Sequence, residues 1–223
     1  MKSVYKYLLP VLVVVALAVS CKKADYLTDN GVHETVTPLS NYDYLKQHSW
    51  KMFDTLIMII DKYNLASEVN NANTFFAPSN YSINRYMNDR RTERQATNAS
   101  AQYTMDSLYK YITADSVRQY LFAESITLDN LTADQPQPFT SRGNTSMAVL
   151  KQLQVANAFT ERTNAPTYLL YLIKVRGTLD LPGTVPPQNE IDISVLCQTT
   201  GIRTSNGTKT LHVLNNQHSF VRF

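Results

Sequence analysis

The residues in this chain best suited to chemistry are four histidines, two cysteines and one closely spaced pair of carboxylates. His212 and His218 lie six positions apart, with the turn-forming Asn215-Asn216-Gln217 between them. On neighbouring strands they could approach each other, but a metal site needs at least a third ligand. No H-x-H, H-E-x-x-H or C-x-x-C spacing supplies one. The pair, His212 and His218, therefore reads as one hydrogen-bonded strand histidine and one solvent-facing histidine. Glu190 and Asp192 alternate as residues on one strand face do, whereas working acid–base pairs come from separate elements bordering a cleft. They read as a polar edge. No nucleophile elbow, phosphate loop or dinucleotide fingerprint occurs, and six glycines leave few places to build one. The expectation is a chain without catalytic residues, metal or cofactor.

The cysteines divide by position. Met1–Ser20 begins with Lys2 and Lys6, runs apolar through the 12 residues Leu8–Val19, and ends in small residues before Cys21. Twelve is short of the roughly 20 residues that span a bilayer and fits the core of an export signal. Ala18-Val19-Ser20-Cys21 resembles a bacterial lipobox, which predicts cleavage before Cys21, a lipid on that residue and membrane attachment through it. An outer-membrane lipoprotein of a Gram-negative envelope is the implied location, periplasmic or surface-exposed and extracellular. Residues 1–20 form the signal, 21–40 a polar tether and 41–223 the folded domain. Cys197 is then left without a partner and follows Ile191–Leu196, so it reads as a small hydrophobe in a buried strand.

Charge narrows the partners. The formal charge of +3 becomes +1 once Lys2 and Lys6 leave with the signal. A near-neutral chain gives no electrostatic reason to bind nucleic acid. Asn88–Gln102 carries Arg90, Arg91 and Arg94 with Asp89 and Glu93 among them and no aromatic residue. It reads as a solvated helix end or loop.

The elements that must position these groups change character along the chain. Leu45, Trp50, Phe53, Leu56, Ile57 and Ile60 recur at helical spacing, predicting a half-buried helix over Asn41–Tyr63 with Trp50 on its core face. Thr74, Phe75 and Phe76 favour extended backbone, and Pro78 ends that strand. Ser79 or Asn80 can cap a helix carrying Ile83, Tyr86 and Met87. Further helices are predicted around Met105–Ile112 and Val117–Leu121. From Phe139 onward the pattern is short strands: Ser146–Leu150, Gln152–Ala156, Tyr168–Val175, Ile191–Leu196, Leu211–Leu214 and Phe220–Phe223. Arg142–Asn144 and Gly201 provide turns, and the proline-rich Thr178–Asn189 a surface loop. Helices first and strands later indicate an α+β domain.

Thr74, Phe76, Ala77, Pro78, Ser79 and Asn80, written T-x-F-A-P-S-N, resemble the first signature motif of fasciclin-like domains, and a leading helix and polar connector precede them as in that family. Ser205–Leu214, with Asn206, Gly207 and His212, resembles the second motif, although two extra residues separate the glycine from the histidine. Phe122–Leu131 resembles the segment after the family's mid-domain Tyr-His pair. That pair is missing, because Tyr120-Leu121-Phe122 contains no histidine. The resemblance implies a single fasciclin-like domain, its N-terminal helices packed on a mostly antiparallel β-wedge or sandwich. It further implies a non-enzymatic cell-adhesion or binding module for an unidentified protein or glycan ligand. The alternative is an accessory glycan-capturing lipoprotein of an outer-membrane polysaccharide-uptake system.

Overall fold

The structure is a computed structural model and describes residues 36–154 and 166–222. The signal, Cys21 and the tether as far as residue 35 lie outside the described residues. Ser40 opens the first helix, α1 (Asn41–Lys46). Its Oγ accepts the Asp43 N–H at 3.1 Å and donates to the Asp43 carboxylate at 2.7 Å, which satisfies one orphan donor of the first turn. The helix predicted over Asn41–Tyr63 is interrupted. The chain leaves it at Gln47 and restarts as α2 (Asp54–Lys62), which buries Leu56, Ile57, Ile59 and Ile60. Trp50 falls in the link and is 80% exposed, contrary to its predicted place in the core.

After α3 (Ala66–Asn71) comes β1 (Thr74–Ala77), every residue of which is buried. Helix α4 (Asn80–Gln95) follows directly and continues through much of the segment predicted to be a solvated end. Two short helices, α5 (Met105–Tyr111) and α6 (Asp115–Arg118), lead to β2 (Leu121–Phe122). The remaining strands are β3 (Gln137–Thr140), β4 (Ser146–Gln154), β5 (Thr167–Lys174), β6 (Ile193–Thr204) and β7 (Lys209–Leu214).

These seven strands lie in the order β2-β1-β7-β6-β5-β4-β3. Among the described strand pairs of this sheet, β1–β7 is parallel and the other five are antiparallel. Strand β6 pairs with β5 through Ile193–Leu196 and with β7 through Cys197–Thr204, with register shifts between Cys197 and Ile202. A strand that changes partners across bulges turns a corner between two sheet halves. Gly201, at φ +75°, sits in that irregular stretch and not in an inter-strand turn. Strand β3 includes Pro138 and is tolerated because it lies at the sheet edge.

Three other strand expectations are corrected. Ser146–Gln154 is one strand, since Lys151 continues the ladder opposite Leu170. Strand β6 runs eight residues beyond Leu196. Phe220–Arg222 is no strand: a tight turn bridges Ser219 to Arg222, and Phe220 is driven into the core, while Phe223 lies outside the described residues. The whole is an α+β domain with a mixed, mainly antiparallel sheet. Its centre is packed with Phe75, Phe76, Tyr120, Phe122, Leu211 and Phe220.

Candidate functional site

The two segments that resemble signature motifs come together on neighbouring interior strands of the sheet. Thr74 pairs with Thr210, Phe76 with His212 and Ala77 with Val213 in the parallel β1–β7 ladder. The Phe76 and His212 rings stack at 4.8 Å between centroids. His212 is fully buried. Its Nε2–H donates to the Ile126 carbonyl at 3.0 Å, and its Nδ1 accepts the Gly201 N–H at 3.2 Å. Both ring nitrogens are thus committed to backbone, and burial lowers the pKa to about 4. A neutral imidazole held this way is a structural pin.

The other motif residues serve similar ends. Thr74 Oγ1 donates to the Glu124 carbonyl and accepts the Ile126 N–H, both at 2.8 Å, fixing the chain after β2. Pro78 and Ala77 are buried at the strand end. Ser79 precedes α4 without a side-chain cap bond, because its Oγ donates instead to Asn216 Oδ1 at 2.7 Å. Asn80 Nδ2 donates to the Lys51 carbonyl at 2.7 Å, and Oδ1 accepts the Thr55 N–H at 2.8 Å. Asn206 and Gly207, at φ +56° and +86°, form the β6–β7 turn. These dihedrals are the reason for an Asn-Gly pair there.

His218 is not solvent-facing. It is 5% exposed and shares a 2.8 Å hydrogen bond with the Tyr120 hydroxyl, which also accepts the Val221 N–H at 3.1 Å. Burial lowers its pKa to about 3. Tyr120 thus meets a histidine 98 residues away in sequence. Asp192 is not an edge carboxylate paired with Glu190. Its two oxygens accept the Arg176 and Asp180 N–H groups, while Asp180 accepts the Asp192 N–H. Glu190 lies in the turn before β6, its N–H bonded to Pro187. Cys197 is buried in β6, where burial pushes its thiol far above the ordinary range.

Beside these elements lies a groove of about 540 Å³. Arg85 and Asp89 of α4 form one wall. Tyr171 of β5 and Ile193–Leu196 of β6 form another, and Asn215, Gln217, His218, Ser219 and Arg222 close it. Ser219 Oγ donates to Asp89 at 3.3 Å, and Arg222 donates to Glu93 at 2.5 Å, holding that carboxyl below its usual range. The volume lies within the usual 300–1,000 Å³ of small-ligand clefts. Its lining of amides, hydroxyls and two guanidinium groups suits a polar ligand.

Beside the groove, α4 is interleaved with aromatic rings, which the sequence segment 88–102 gave no reason to expect. Arg94 lies 4.7 Å from the Tyr103 ring centroid and 5.3 Å from that of Tyr111. Arg90 lies 5.4 Å from Tyr111, and Arg222 stands over Tyr86 at 5.9 Å. The signal that could have found this surface is the spacing of Tyr86, Arg90 and Arg94, each four apart and so on one helix face. Tyr103 and Tyr111 come from other segments, and no local pattern announces them. Among the described residues no group of acidic, histidine or cysteine side chains is placed to hold a metal ion, and no helix is long and apolar enough to cross a membrane.

Neither a scan against protein-family models nor a search of curated proteins finds a match for this chain.

Proposed function

We propose that this chain is a non-enzymatic adhesion or binding module of the fasciclin type, held on the outer membrane by a lipid on Cys21. The observation that carries the reading is the β1–β7 ladder. The two segments that resemble the family's signatures, 136 positions apart, lie side by side with Phe76 stacked on His212. Their side chains are spent on backbone pins, so the contact surface lies elsewhere, at the groove under α4 and the arginine–tyrosine face beside it. A second reading is capture of glycans for an uptake system, favoured by the hydrogen-bonding lining of that groove.

Arrays of oligosaccharides and of extracellular-matrix proteins, probed with the full chain, test both. Retention on matrix proteins supports adhesion, and retention on defined oligosaccharides supports capture. Robust hydrolysis of an arrayed substrate, abolished by one polar substitution, overturns the non-enzymatic assignment. The anchor has its own test. Metabolic acyl labelling is expected to vanish in Cys21→Ser and persist in Cys197→Ser, whose thiol is buried; persistence in Cys21→Ser refutes lipidation there.

A further inference from the structure

Trp50 is the one tryptophan in the chain, and at 80% exposure it stands against the usual fate of that residue, which is substantial burial. The apolar spacing of Asn41–Tyr63 would carry it onto the inner face of a continuous helix. The fold instead breaks that helix and pins the break. The Asn80 amide holds the Lys51 carbonyl and the Thr55 N–H, and the Asn80 N–H donates to Met52 at 2.8 Å. Lys51 takes a left-handed backbone at φ +52°, a conformation unfavourable for a residue with a Cβ. The His48 ring meets the indole edge-on at 6.0 Å and is itself lodged against buried Phe53 at 5.2 Å. A wide aromatic face is thus displayed on a stiff support, and a pre-ordered group loses little freedom when it binds.

We propose that Trp50 is the stacking platform of a carbohydrate site, taking the apolar C–H face of a pyranose ring. The proposal rests on the binding-module reading and names the ligand class. The residues that flank Trp50 in sequence select that class. Gln47, Ser49, Lys51 and Asp54 are all exposed and all carry groups that can hydrogen-bond, the chemistry that the rim of a stacked sugar requires. A protein hot spot needs close-packed neighbours that exclude water, and an interfacial membrane contact needs a broad apolar face. Ser79, next to Asn80, binds Asn216 between groove-lining Asn215 and Gln217, so one helix start anchors both the platform and the groove.

The single tryptophan makes the test direct. The full chain, in a detergent without sugar headgroups, is titrated with cellohexaose, xylohexaose, maltohexaose and mannohexaose while indole emission is followed, and calorimetry is run in parallel. At least one hexaose is expected to shift the emission to shorter wavelength in a saturable way. Trp50→Ala is expected to weaken its binding at least tenfold, and Trp50→Phe by less, with unchanged circular dichroism. Equal calorimetric affinity in Trp50→Ala overturns the platform but leaves glycan capture standing. A shift with phosphatidylglycerol vesicles and none with any hexaose replaces it with a membrane contact. Silence toward all four sugars, with retention on matrix proteins intact, overturns it and leaves the adhesion reading in place.

Discussion

Two buried histidines give this domain a pH response that its net charge does not reveal. His212 and His218 have folded pKa values near 4 and 3, depressed by burial below the ordinary 6.5. The unfolded chain binds protons at these sites more readily than the folded one. Their contribution is therefore complete above about pH 6.5 and is lost as pH falls toward the folded values, at roughly 1.4 kcal/mol per pH unit for each histidine. The arginine-paired Glu68 and Glu93 stay charged in most of that window, since their arginine partners hold both carboxyls below the usual range. Urea unfolding midpoints are expected to fall between pH 6.5 and pH 4.5, with a slope that flattens in His218→Gln; a flat profile in the parent chain contradicts the buried neutral assignment. His212 is legible as a strand histidine, because the mostly apolar run Leu211–Leu214 follows the Asn206-Gly207 turn. His218 is not, because its burial depends on Tyr120, 98 positions away, meeting its ring.

At the scale of elements, local pattern succeeds where one segment makes its own case. The β1-to-α4 corner follows from Thr74–Asn80 alone. The interruption between α1 and α2 does not, because Leu45, Trp50, Phe53 and Leu56 keep helical spacing straight through it. What breaks the helix is Asn80, a residue 29 positions from Lys51. Asn80→Ala is expected to cost about 1–3 kcal/mol by stranding the Lys51 carbonyl and the Thr55 N–H. The same change should lower the fluorescence anisotropy of Trp50 as its support loosens. Unaltered anisotropy would mean that the link holds itself. Strand β6 was read short for a related reason: Thr199, Thr200 and Gly201 dilute its alternation, and only pairing with β7 defines the second half.

For the molecule as a whole, sequence order was enough to indicate an α+β domain, while the closure at its far end was hidden. Residues 218–222 do not extend the sheet. They fold back over α4, with the Phe220 N–H on the Ser82 carbonyl, Arg222 on Glu93, and the Phe220 ring stacked 5.8 Å from Tyr120. Phe220 is fully buried, so Phe220→Ala should lose about 3–5 kcal/mol of stability. Chemical denaturation would measure it; a loss under 1 kcal/mol would mean that the tail is not part of the core. The groove depends on this tail for Ser219 and Arg222, so ligand binding is expected to weaken alongside stability.

The parallel ladder between β1 and β7 also governs when the chain can fold. Thr74 has its partner at Thr210, and such distant pairing must wait for its loop to close, which slows folding. Until synthesis delivers residues 209–214, β1 keeps one edge open, and the hydrophobic centre has no lid. A carrier that holds the chain extended until its last residues arrive would therefore meet little competition from premature folding. The same delay leaves Thr74–Ala77, a short apolar segment, as an exposed template for intermolecular strand pairing. Truncation anywhere before residue 209 should consequently yield aggregated chains in place of a smaller folded domain.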